Sequence, residues 1–190
     1  MTMTIMCPYR LRRHAAPGSI TVLAAVTLYI VVLLGVVAWA GIQEGADHAL
    51  VGRLVADATY DASHRTADTA LLSAAPALAC LDPSCATVTC PVAVARDPGG
   101  TTAAGQACRT LRQGLSRVYT GTHPRLDVAA TLATTRVWTL APGLHDPEDT
   151  ARVYHYPTVC LSTDAAIGVI AHEGLAVHQH FHACAQAVYR

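Results

Sequence analysis

The residues richest in chemistry lie at the end of the chain, in AHEGLAVHQHFHACAQAVYR. Read as a strand, this stretch puts His178, His180, His182 and Cys184 on one face and Val177, Phe181, Ala183, Ala185 and Ala187 on the other. Residues two apart along a strand stand about 6.5–7 Å from each other, so an H-x-H pair can share one zinc or copper ion. His178 and His182, about 13 Å apart, cannot. A site built on His178 and His180 therefore needs another ligand, with His172, Glu173 and His155 as candidates. His172-Glu173 does not open the helical metalloprotease motif, because the next histidine comes only at 178 and the two imidazoles would not share a helical face. A polar, solvated sheet face that happens to use histidine is the simpler account of the run.

Cysteine is the second signal. Cys7 stands near the start, and Cys80, Cys85, Cys90, Cys108, Cys160 and Cys184 follow a long apolar stretch. An even set in a small domain outside the cytoplasm predicts disulfides, with Cys7 left free. The whole chain has one Phe and two Trp, so its core is thin. Cross-links worth about 2–4 kcal/mol each would then supply what packing cannot. Six cysteines allow many pairings, and nothing in the spacing chooses among them. Zinc held by Cys80-x4-Cys85-x4-Cys90 is the sharper alternative, but no paired histidines follow at finger-like distance.

Other chemistry is not written in motifs. The chain has no G-x-S-x-G, Gly-rich phosphate loop, paired carboxylates or H-E-x-x-H. Ser116, Ser162 and Asp164 stand without a positioned partner. Formal net charge is zero, so there is no basic footprint for nucleic acid. The expectation is a non-catalytic protein with no required cofactor, zinc or copper at the histidines being the exception.

The element that must position everything else is Ser19–Ile42, SITVLAAVTLYIVVLLGVVAWAGI. No charge interrupts the sequence between Ala15 and Gln43. About 20 apolar helical residues cross a hydrocarbon core of about 30 Å. A lone strand there would leave its backbone unpaired, so the span is predicted to be a transmembrane helix. Trp39 stands where an interfacial anchor belongs. The preceding arm carries Arg10, Arg12 and Arg13 and no acid, while all thirteen acids come later. The positive-inside rule keeps that arm cytoplasmic and places the rest outside. A cleaved signal peptide is the competing reading, with Ala38-Trp39-Ala40 as its small-x-small site, but the apolar run is far longer than an h-region.

A basic arm, then Gly18-Ser19, then a long apolar helix opening Ile-Thr-Val resembles the start of TadE/TadG-like proteins, the minor pilins or pseudopilins of Tad (Flp-type) pilus systems. Gly18, Ser19, Thr21 and Val22 match the family's G-S-x-T-V-E-F-A start, while Leu23 stands where the family has Glu. The resemblance implies a prepilin peptidase that cuts after Gly18 and frees Ser19. It also implies partners among pilin-like subunits and membrane assembly proteins. A carboxylate at position 23 would pair with a neighbouring subunit's terminal amine, which Leu23 cannot do.

Beyond the span, Leu50, Val51, Leu54, Val55, Ala58 and Ala62 recur at helical spacing, and no proline interrupts before Pro76. Gly41 and Gly45 form a small-xxx-small pair able to bring two helices close. The Cys- and Pro-rich stretch reads as loop with a brief helix over Gln106–Tyr119. Leu126–Leu140, Arg152–Leu161, Ala166–Ala171 and Leu175–Tyr189 read as strands, the last two joined by a turn at His172-Glu173-Gly174. The acids of APGLHDPEDT read as solvated.

The sequence thus predicts an α+β protein: a long N-terminal transmembrane and amphipathic helix, then a small antiparallel sheet domain stabilised by disulfides. The expected organisation is a basic leader arm (1–18), the transmembrane helix (19–42), an extracytoplasmic helix extension (43–75) and a Cys-rich α+β domain (76–190). The expected role is a structural component of a pilus-like envelope system. The rival is a membrane-anchored domain outside the cytoplasm that binds metal or ligand through its terminal histidines.

Overall fold

A computed structural model describes residues 17–65, 87–120, 125–168 and 176–187. The chain divides into two compact units, Met1–Gly41 and Ile42–Arg190. Helix α1, Pro17–Arg65, contributes 49 residues to the two. It is long and apolar enough to cross a membrane, with a most apolar window of mean hydropathy 2.6, none of it buried inside the protein. Leu23, Val36 and Trp39 are among its exposed apolar side chains.

The second unit holds one four-stranded antiparallel sheet in the order β1-β2-β3-β4: β1 is Val88–Thr89, β2 Arg136–Leu140, β3 Thr158–Gly168 and β4 Ala176–Gln186. Short helix α2, Cys90–Arg96, starts directly after β1, with Thr89 as N-cap and Pro91 in its first turn, where a missing N–H is harmless. Helix α3, Ala103–Val118, starts at Thr102, whose hydroxyl accepts from the Gly105 N–H. Helix α4 is Val128–Thr134.

Helix α4 corrects an expectation. Val128, Ala130 and Leu132 alternate as a strand would, yet the segment is helical. Asp127 decides it: its carboxylate accepts from the Ala130 N–H, an N-cap that a strand cannot use. The strand starts only at Arg136. The segment Arg152–Leu161 is likewise not one strand: β3 begins at Thr158, just after Pro157, and continues to Gly168, into the segment read as beginning at Ala166. Beyond Arg65 the expected helix extension, and the turn at His172-Glu173-Gly174, lie outside the described residues.

Each sheet face has its own apolar cluster. On one side Val159, Leu161, Ala165 and Ile167 of β3 and Phe181 of β4 pack with Leu111 and Leu115 of α3 and with Val51, Val55, Ala58 and Ala62 of α1. The spacing of those four α1 residues is the stripe read from sequence. Phe181 lies 3.7 Å from where a Cβ on Gly52 would sit, and its ring centroid is 5.0 Å from that of His48. Polar ties fix the same helix. Asp61 accepts from Gln106 Nε2 at 2.7 Å and Thr110 Oγ1 at 2.9 Å. Asp47 meets Arg125 Nη1 at 2.7 Å and accepts from the Tyr119 hydroxyl at 3.2 Å. Burial beside Asp47 pushes Tyr119 up to about 12. On the opposite face a smaller cluster of Trp138, Leu140, Tyr154 and Cys160 forms.

Candidate functional site

The loop that joins β2 to β3, residues 141–157, is closed by its own backbone. Gly143, at φ +84°, donates to Tyr154 O at 2.8 Å, and Asp146 N donates to Arg152 O at 3.3 Å. His145 pairs with Val153 as an isolated antiparallel bridge. A positive φ is natural only for glycine, so Gly143 permits this fold-back. The loop carries Asp146 and Glu148 to the sheet, where Asp146 meets residues of β3 and β4 and Glu148 meets His180 of β4.

Register does the rest. Cys160 stands opposite Cys184, Ser162 opposite His182, Asp164 opposite His180 and Ala166 opposite His178. Side chains two apart share a face, so the histidine run and Cys184 present the single face expected of them. Cys160 and Cys184 are disulfide-bonded. Asp146 is wholly buried, and its Oδ2 lies 3.1 Å from His182 Nε2, 3.2 Å from Cys184 Sγ and 4.0 Å from Cys160 Sγ. Its Oδ1 accepts from the Glu148 N–H at 3.1 Å. Trp138 stacks on His182, with ring centroids 5.6 Å apart and planes 10° from parallel. Oxygen, nitrogen and sulfur donors therefore meet at one point, with an aromatic plane steadying the imidazole.

His180 occupies a second place on the same face. Its Nδ1 is 2.8 Å from Asp164 Oδ1 and its Nε2 is 3.2 Å from Glu148 Oε2. The hydrogen bond that His180 donates to Asp164, joined by the one to Glu148, raises its pKa above the ordinary histidine value despite some burial. Both ring nitrogens are thus engaged with carboxylates. His178 and His155 are exposed, and His172 and Glu173 lie outside the described residues. Among the described residues, the converging donor set is Asp146, Cys160, His182 and Cys184.

Of the six cysteines after the span, Cys90 pairs with Cys108 and Cys160 with Cys184; Cys80 and Cys85 lie outside the described residues. Gly18 and Ser19 are in the first turn of α1. A Cβ at Gly41 or at Gly45 would meet nothing within 4 Å. A cavity of about 490 Å³ lies among α2, α3 and α4, walled by Pro91, Val94, Arg112, Ser116, Val128 and Leu132. Among the described residues that line it, none is a histidine or a carboxylate that could serve Ser116.

Asp146 is the site residue that sequence reasoning missed. Its neighbours His145, Pro147, Glu148 and Asp149 look like an ordinary acidic turn, and only the fold-back at Gly143 turns one of those carboxylates inward. No protein-family model, curated protein or solved structure matches the chain.

Proposed function

We propose that this chain is a single-pass envelope protein of TadE/TadG-like type, with its basic arm in the cytoplasm and its disulfide-bonded domain outside. It works by assembly and not by catalysis. The observation that carries this reading is the uncovered apolar surface of α1: the span's side chains are exposed and none of its most apolar window is buried by the protein's own fold. Apolar surface of that extent needs lipid or other helices against it. Gly41 and Gly45, with open space over both, give a neighbouring helix a place to approach closely. The helix extension (43–75) and the Cys-rich domain (76–190) then supply the face that pilin-like subunits or membrane assembly proteins meet.

Prepilin processing separates this reading from its rivals. Intact mass and N-terminal sequencing of the protein from its native membrane fraction should give a chain that begins at Ser19. A chain that begins at Met1 would leave a plain membrane anchor. One that begins just after Ala40 would mean a secreted domain. Either result defeats the pilin assignment.

A further inference from the structure

The four donors beneath the 141–157 loop have a geometry that the pilus reading does not use. All their ligand atoms fall within 4.8 Å of one another. A tetrahedral zinc ion with ligand distances of about 2.0–2.3 Å needs ligand-to-ligand edges of about 3.3–3.8 Å. The edges from Asp146 Oδ2 to His182 Nε2 (3.1 Å), to Cys184 Sγ (3.2 Å) and to Cys160 Sγ (4.0 Å) are close to that range. So is the edge from His182 Nε2 to Cys184 Sγ, at 3.3 Å. The edge between the two sulfurs is far out of range, because they are bonded to each other.

Asp146 is the second, independent sign. Its carboxylate is fully buried, and Oδ2 faces two sulfurs that in a disulfide have no proton to donate. A buried carboxylate is costly unless it is paired, hydrogen-bonded or bound to a metal. Here the Glu148 N–H serves Oδ1, and among the described residues Oδ2 has His182 as its possible donor. The supporting contacts of a ligand set are also in place: the Glu148 N–H orients Asp146, and Trp138 holds the plane of His182.

We propose that Asp146, Cys160, His182 and Cys184 form a redox-gated site for a thiophilic divalent cation, zinc being the best fit. The disulfide form has no thiolate to offer and does not bind. A dithiol reductant opens the site. One of its thiolates attacks Cys184 Sγ, the half-buried sulfur, and displaces the Cys160 thiolate. Its second thiol resolves the mixed disulfide and frees Cys184. The reductant leaves as a disulfide, having supplied two electrons and two protons. Two thiolates and a carboxylate buried together repel, so the pocket holds either those two protons or a dication. Uptake of the cation releases the two protons and leaves two thiolates, one carboxylate and a neutral imidazole around it. Oxidation by a disulfide-donating oxidant withdraws two electrons, expels the cation and closes the bond.

The test uses the full chain in detergent with cobalt(II) as a spectroscopic probe. After phosphine reduction the protein should take up one cobalt per chain and show a thiolate-to-cobalt charge-transfer band; the oxidised protein should show neither. Asp146→Asn and His182→Gln, both close in shape to the native residues, should each weaken uptake about tenfold or more. The Cys160→Ser/Cys184→Ser double variant should abolish the band, and Cys80→Ser/Cys85→Ser should leave it. A band that survives without Cys160 and Cys184 would overturn the proposal. So would an affinity indifferent to Asp146 and His182, or a reduced chain that binds no cobalt. Loss of the near-ultraviolet dichroism of the fold on reduction would overturn it too, because the site would then exist only as a disulfide.

Discussion

His180 shows how one imidazole can tie a loop to a sheet. Asp164 on β3 and Glu148 on the loop grip its two ring nitrogens, and the protonated ring suits both. Because the pKa in the fold is raised, the stabilisation is fully present below about pH 6.5 and is lost as pH rises through the raised value. The His180 side chain is 54% exposed, so solvent screening holds the clasp to about 1 kcal/mol or less. Asp164→Asn should bring the His180 titration, followed by NMR of the imidazole protons, down toward the ordinary histidine value. A titration that does not move would show that the carboxylate is not what raises it. The alternation H-x-H-x-H was legible as one face of a strand. That His180 faces two acids and His182 a buried one was not, since all three acids come from other segments.

At the scale of elements, the turn between α2 and α3 is held by one carboxylate. Asp97 accepts from the Thr102 N–H at 2.7 Å, the Thr102 hydroxyl at 2.7 Å and the Thr101 hydroxyl at 3.1 Å. The Thr102 backbone bond comes first among the causes that keep the Asp97 carboxyl well below the usual carboxylate range. Gly105 leaves room for this arrangement, because a Cβ there would overlap the Asp97 carboxylate. Gly105→Ala should therefore destabilise the Ile42–Arg190 unit by about 1–3 kcal/mol in denaturant unfolding. An unchanged midpoint would mean that the carboxylate yields freely. The Cys90–Cys108 bond joins the same two helices across a separation of 18 residues. Its removal in Cys90→Ala/Cys108→Ala should cost about 3 kcal/mol by the same measurement, whereas a loss near zero would assign the α2–α3 contact to packing alone. Helix α4 marks where local reading failed. Short alternation fits both periods, and the choice fell to the Asp127 cap, to the Thr131 hydroxyl, which donates back to Asp127 O, and to Thr135, whose hydroxyl donates to Thr131 O and meets Thr163 Oγ1 of β3.

At the scale of the whole chain, the sequence by itself determined the α+β class, the apolar span, the amphipathic stripe of α1 and the need for cross-links. These follow from composition and periodicity: a charge-free run from Ala15 to Gln43, apolar residues at helical spacing, and a domain with one Phe. Only the tertiary structure decided which cysteines pair and which acid is buried. Both depend on strand register and on a glycine fold-back that bring Asp146, Cys160, His182 and Cys184 together from three separate segments. Pairing of this kind is set by the global minimum of packing and hydrogen bonding, a quantity that no local window of sequence contains.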